Sequence, residues 1–234
     1  MAGHGLQARG IARRNKMLKA ATFLFLEQGY DKTTTTQIAK AAGMSQASFF
    51  AAFESKEAIL LELTKIMFSS QFVAAAAMMP TDDPLLLYAL ETGLQLHITE
   101  LSEPLRELYV ATYSLPSTSE YVYQNTTKKL LKIFAPYLPE AQENDFYELE
   151  IASASITRGF MARPCDLYFT MERKLRRYLS CCFRIYKVPQ EVYAPVIEAA
   201  LRRDLKSDAE KIIAATVQRA ELGFEQMTTT EGLL

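Results

Sequence analysis

The sequence predicts an all-α protein, and three features point that way. Apolar residues recur at helical spacing from the start: Met17, Leu18, Ala21, Leu24 and Phe25 fall on one face of a 3.6-residue repeat. Glycine and proline number only nine each in 234 residues, too few to punctuate a many-stranded sheet. Hydrophobic residues make up 49% of the chain, which suits a packed core and exceeds what a disordered chain carries.

A first helix is predicted from about Ile11 to Gln28, with Gly29 placed to supply a left-handed cap. A short second helix opens at Thr34, whose hydroxyl and the amide of Gln37 have capping-box spacing, and Ile38, Ala39 and Ala42 form its apolar face. Gly43 permits a tight turn, and Ser45 caps a third helix containing Phe49, Phe50 and Phe53. Ser55 can cap a fourth helix that runs through Leu60, Leu63 and Met67 towards Met78. Pro80 and Pro84 bracket the clearest break, with aspartates between them to cap the next helix. Further helices are expected at roughly 84–100, 103–114, 118–136, 143–162, 167–187, 189–204 and 208–226, separated by prolines and by a cap at Ser207 and Asp208. Thr228 to Leu234 reads as a loose tail.

Charge is unevenly distributed. Residues 1–60 hold eight basic side chains (Arg9, Arg13, Arg14, Lys16, Lys19, Lys32, Lys40, Lys56) and four acidic ones (Glu27, Asp31, Glu54, Glu57), a balance of +4. The whole chain carries −1, so the remainder carries −5. A basic head on an acidic body suits a protein whose head alone meets a polyanion, although an ordinary solvated surface fits the same count. Cys165, Cys181 and Cys182 form no CxxC pair and no zinc spacing, so neither a metal site nor a cofactor is expected, and the odd count fits a reducing compartment. No secretory signal is visible, and the apolar stretch from Phe72 to Met79 is far short of the ~20 residues that span a bilayer. The expectation is a cytoplasmic protein that does not enter membranes. GxGxxG, GxxxxGK[ST], GxSxG and HExxH are all missing and histidines number two, so the chain does not read as an enzyme.

Residues 34–52 have the proportions of a helix-turn-helix. Ala39 and Ala42 supply the small surface where one helix crosses the next, and Gly43 supplies the turn. Ser45, Gln46 and Ser48 place short polar groups at the start of the second helix, where base edges of a major groove are within reach, while Phe49 and Phe53 anchor its other face. At this point a resemblance becomes specific. Residues 17–60, through Thr33, Thr34, Ile38, Ala39, Ala42, Gly43, Met44, Ser45, Phe49, Phe50, Phe53, Lys56 and Glu57, resemble the N-terminal DNA-binding domain of the TetR family, with no insertion over about 45 residues.

That resemblance implies an N-terminal three-helix DNA-binding domain over residues 1–54, followed by a larger helical ligand-binding and dimerisation domain over 55–234. It implies a ligand-responsive regulator, a repressor in most such proteins, that binds a palindromic DNA operator as a homodimer and is released by a small, largely apolar effector. Thr34 and Thr36 then look like phosphate and groove contacts, or serve only as a cap. Gln46 and Ser48 look like the base-reading pair, with Ser45 and Ala47 beside them and Ala47 against a thymine methyl. Lys56 looks like a phosphate contact at a helix N-terminus, and Arg9, Arg13 and Arg14 look like a basic arm. Phe50 stands where relatives usually carry tyrosine, and Ala52 where histidine or tyrosine is common, so two polar contacts are missing at ~1 kcal/mol each. This leaves open a helical interaction protein of the same fold with weakened or lost operator binding.

For the effector pocket the sequence offers His97, Arg106, Tyr109, Tyr113 and Arg158 as polar handles in an aromatic and methionine-rich body, each of which also reads as core or surface. His97 in particular reads as a buried histidine bonded to backbone ahead of a ligand contact. For dimerisation, the resemblance favours the helices at 143–162 and 167–187, where Ala152, Ser153, Ala154, Ser155 and Gly159 would allow close approach and Leu175, Leu179 and Phe183 could form a facing seam. Arg173, Lys174, Arg176 and Arg177 read as a solvated face paired with acidic neighbours. Cys181 and Cys182 read as buried packing, with a redox role left open.

Overall fold

The computed structural model describes residues 2–78 and 81–222, and all regular structure in them is helical. The head comprises α1 (Ala2–Gln28), α2 (Thr35–Ala41) and α3 (Gln46–Phe50), followed by the long α4 (Lys56–Met78). The body comprises α5 (Pro84–Leu101), α6 (Glu103–Thr112), α7 (Pro116–Phe134), α8 (Glu143–Ala162), α9 (Met171–Ile185), α10 (Gln190–Leu201) and α11 (Leu205–Leu222). This is the predicted all-α class, a small helix-turn-helix head joined to a larger helical body. The tail from Thr228 and residue Pro80 lie outside the described residues.

Local signals explain most boundaries. Gly29 and Gly43 take φ of +88° and +70°, the left-handed turns that end α1 and join α2 to α3. Asp83 accepts hydrogen bonds from the Leu85 and Leu86 amides, and Pro84 occupies the first helical position. Ser102 likewise caps α6 through the Leu105 amide.

Four boundaries differ clearly from expectation. α3 ends at Phe50, so Phe53, expected within it, follows the helix and is buried from the loop that leads to α4. α1 begins at Ala2, about nine residues early, because residues 2–9 contain good helix formers that outweigh two glycines at about 1 kcal/mol each. α9 starts at Met171, since Asp166 accepts from the Tyr168 and Phe169 amides and folds 163–170 into a turn before Thr170 caps the helix. α11 starts at Leu205, because Asp204 rather than Ser207 or Asp208 does the capping, accepting from the Ser207 amide.

Two apolar cores result. The head core holds Met17, Leu18, Phe25, Ile38, Phe49 and Phe53, continues into α4 through Ile59 and Leu60, and takes in Leu108 of α6 and Ala220 of α11. The body core runs through α5, with Tyr88, Phe134, Phe183 and Tyr186 as its aromatic centre; the rings of Phe134 and Tyr186 stack at 4.0 Å. Leu175, Leu179 and Phe183 are fully inside this core, so they do not form the outward seam expected of them. Lys174 is also buried, not part of a solvated basic face; Arg176 does pair with acidic neighbours, Glu172 and Glu198. Ser153 and Ala154 point inward, leaving Ile151, Ala152, Ser155 and Gly159 on the outer face of α8. Cys182 is buried and Cys181 half-buried.

Candidate nucleic-acid interface and body cavity

The second head helix is opened by a reciprocal cap. Thr34 Oγ1 accepts from the Gln37 amide at 3.2 Å, and Gln37 Oε1 accepts from the Thr34 amide at 2.8 Å. Thr33 is buried, its hydroxyl donating to the Gly29 carbonyl at 2.7 Å, whereas Thr34 and Thr36 are exposed. In α3, Ser45 Oγ accepts from the Ser48 amide at 3.2 Å and lies 3.0 Å from Ser48 Oγ. Ser45, Gln46 and Ala47 face solvent and Ser48 is half-buried, while Phe49 is fully buried and Phe53 nearly so. Phe50 is 54% exposed, its ring edge-on to Phe49 at 5.3 Å. The small helix therefore turns its polar N-terminal side chains outward from a phenylalanine base, as a groove-reading helix must.

Two basic residues sit differently from expectation. Arg14 is a brace rather than a free arm: its guanidinium lies over the Phe53 ring at 4.2 Å, donates to the Ala52 carbonyl and pairs with Glu62 of α4. Lys56 turns inward too, its ammonium donating to the Tyr30 carbonyl at 2.7 Å and lying 4.0 Å from the Tyr30 ring centre. Burial lowers the pKa of that ammonium against the opposing pull of Asp31 and Glu107. Both residues tie α4 to the head. Arg13, half-buried, takes no part in these braces.

The body contains a cavity of about 50 Å³ between α5, α7, α8 and α9, reached by Phe68 from α4 and Tyr113 from the end of α6. Its walls are Phe68, Tyr88, Tyr113, Leu130 and Tyr178, and its polar lining is Glu91, Thr92, Gln95, Thr126, Lys129, Glu150, Ser153 and Thr157. Tyr113 donates to Gln95 Oε1 at 2.8 Å, and Lys129 pairs with Glu91. Glu150 accepts from Thr126 at 2.8 Å, from Tyr186 at 3.4 Å and from Ser153. Burial raises its carboxyl to about 7 even though those hydrogen bonds favour the charged form.

Of the five predicted handles, Tyr113 alone lines this cavity. Tyr109 is packed in the body core. Arg158 is exposed on the outer side of α8, a correction explained by Thr157 and Met161 taking the inner positions. His97 bonds the Gly93 carbonyl at 2.9 Å and borders a separate groove with Met171, Leu175 and Leu201. Arg106 instead faces Glu100 at 3.6 Å. The cavity residues that sequence reading missed carried a signal of their own. Glu150 shares the helical stripe of Phe146, Ser153, Ala154, Thr157 and Met161, so a carboxylate on an apolar face marked the spot.

Among the described residues no group of three or more His, Cys, Asp or Glu is arranged to hold a metal ion, and no helix is long and apolar enough to cross a membrane.

Comparisons with known proteins agree with this geometry. Residues 17–63 match the family of bacterial regulatory proteins described as the tetR family. The chain is 40% identical over 58 residues to the HTH-type transcriptional regulator YdgC of Bacillus subtilis (strain 168), covering 25% of this chain and 30% of that one. It is 38% identical over 82 residues to the HTH-type transcriptional regulator TcmR of Streptomyces glaucescens, covering 35% and 36%. The matched segments thus span about a third of these relatives' length. Among solved structures, RolR in complex with resorcinol superposes with a TM-score of 0.64 at 15% identity, over 84% of this chain and 97% of that one. Thermus thermophilus FadR, a TetR-family repressor in complex with lauroyl-CoA, gives 0.54 at 19% identity, over 74% and 92%. These two likenesses extend the shared fold from the head across the body.

Proposed function

We propose that this protein, whose residues 17–63 match the tetR family of bacterial regulatory proteins, is a ligand-responsive transcriptional regulator acting as a repressor. Residues 1–54 read DNA and residues 55–234 sense an effector and pair two copies. The carrying observation is α3, where Gln46 and Ala47 face solvent from a helix seated on Phe49 and Phe53. Gln46 suits bidentate bonding to adenine, and Ala47 suits a thymine methyl. Thr34 and Thr36, exposed at the mouth of α2, are placed for the flanking phosphates. Two such heads in a symmetric dimer read a palindrome in successive grooves. The outer face of α8, with Ile151, Ala152, Ser155 and Gly159, supports the pairing.

Effector release depends on the route between cavity and head. Phe68 brings α4 to the cavity wall, and the same helix carries Ile59 and Leu60 into the head core. A ligand larger than the present cavity displaces Phe68, and the displacement passes to the head.

A mobility-shift titration on the DNA flanking the protein's own gene tests this. Specific binding that weakens steeply with salt, and a shift in oligomer size to a dimer, are expected. Binding no tighter than to unrelated duplex rejects the regulator reading. That outcome favours an interaction protein of the same fold, for which Phe50, exposed and without a hydroxyl, is the supporting observation.

A further inference from the structure

We propose that the body cavity takes a small organic cation, an alkylammonium on an apolar or aromatic body, with Glu150 as its counter-ion. The inference rests on reading the body as an effector domain and adds the chemical class of the effector.

Glu150 is 6% exposed, and each donor it receives is neutral: the hydroxyls of Thr126, Ser153 and Tyr186. Among the described residues no lysine, arginine or histidine stands within ion-pair distance of it. Residues 69–80, the stretch after Phe68, contain no basic residue. The other buried carboxylate of the cavity, Glu91, is paired with Lys129. The lining therefore carries one negative charge in excess whenever Glu150 is ionised.

An isolated buried carboxylate is costly, and a charge of opposite sign brought within bonding distance removes much of that cost. An entering ammonium supplies that charge and can donate to the carboxylate that now receives only hydroxyls. An entering anion meets Glu150 with the one lining cation already engaged by Glu91. A neutral ligand leaves Glu150 as it stands. The rings of Tyr88, Tyr113, Tyr178 and Phe68 complete a wall whose aromatic faces attract cations. About 50 Å³ accepts the ammonium head, and the apolar body makes room by displacing Phe68.

The test compares three probes that share one apolar body: phenethylamine, phenethyl alcohol and phenylacetate. Each is titrated calorimetrically into the full-length wild-type protein and into Glu150→Gln. Phenethylamine is expected to bind the wild type about tenfold or more tighter than the alcohol, with phenylacetate weakest. In Glu150→Gln the amine should fall to the level of the alcohol while the alcohol is unchanged. Equal affinity for amine and alcohol, stronger binding of phenylacetate, or undiminished amine binding to the variant overturns the cation assignment. The wild-type comparison alone decides it if the variant does not fold. Binding of the alcohol alone refutes the charge class but keeps the effector cavity, whereas binding of no probe counts against both.

Discussion

The carboxylate of Glu107, carried on α6, accepts a hydrogen bond from the Asp31 amide and fills the space that a side chain at residue 29 would need. Gly29 holds its left-handed φ beneath that carboxylate, so the turn after α1 is fixed by the body as well as by its own sequence. Gly29→Ala is expected to lose roughly 1–2 kcal/mol of stability from the unfavourable φ, and more if Glu107 is displaced. Glu107→Ala should cost about 1 kcal/mol or less while reducing effector-driven release of DNA. Chemical denaturation and a release assay separate the two effects; a silent Gly29→Ala would show that the turn tolerates a side chain.

Gln46→Ala is expected to relax base preference at one operator position, with a loss of ~1–3 kcal/mol there. Ser45→Ala removes the cap of a five-residue helix and should weaken binding at every position, with about 1 kcal/mol of stability lost as well. A binding-site selection on both variants reports the pattern; a uniform loss for Gln46→Ala would place that side chain off the bases.

Lys56→Ala should lower the melting temperature and leave the salt slope of operator binding unchanged, since its ammonium is bonded to Tyr30 rather than aimed outward. A phosphate contact would instead reduce that slope by about one. Melting curves together with affinities across a salt series distinguish the two roles.

Glu150 links stability to pH. Its folded-state pKa of about 7 lies above the ordinary 4.5, so the stabilisation from protonation is fully present below pH 4.5 and is lost as pH rises through about 7. The groups around it are Thr126 of α7, Ser153 of α8, Tyr88 of α5, Tyr113 just after α6, Cys182 of α9 and Tyr186 beyond it; burial raises the pKa of each of the three tyrosines and of the thiol, so none takes the charge in its place at neutral pH. Glu150→Gln is therefore expected to match the wild type near pH 4 and to exceed it at pH 8 by on the order of 3 kcal/mol. Denaturation midpoints at the two pH values check this, and a gap that does not change with pH would contradict it.

Lys174 is wholly buried and donates to Glu100 at 2.6 Å and to the Arg163 carbonyl at 2.7 Å. Burial alone would raise the Glu100 carboxyl, but bonds from Lys174 and the Cys165 amide hold it below the usual range. Lys174→Ala leaves that carboxylate half-satisfied and is expected to cost about 3 kcal/mol or more, seen as a lower denaturation midpoint. A loss under about 1 kcal/mol would mean that Arg106 compensates.

Local chemistry made the head legible in the sequence. The caps at Thr34, Ser45 and Ser55 and the turns at Gly29 and Gly43 are decisions taken within a few residues, and each stands where the pattern put it. Apolar spacing likewise gave the buried face of Phe25, Ile38, Phe49 and Phe53. Long-range contacts decided the rest. Arg14 and Lys56 look like free cations in sequence, and only the approach of Phe53, Glu62 and Tyr30 turns them inward. Leu175, Leu179 and Phe183 form an apolar stripe that fits a partner or a core equally well, and the closing of α5 over α9 chose the core. The cavity lining comes from six helices, an assembly that no local window of sequence reveals.

Phe68 stands twelve residues along α4 from Lys56, which at 1.5 Å per residue is a rod of roughly 18 Å. A tilt of about five degrees about its Phe68 end swings the Lys56 end by roughly 1.6 Å, comparable to the helix shifts seen in allosteric transitions. Lys56 and Arg14 bolt that end to Tyr30 and Phe53, so the swing cannot be absorbed by slack at the joint. Under the proposed function, a side chain pushed aside in the body works as the short arm of a lever whose long arm ends at the joint with α3.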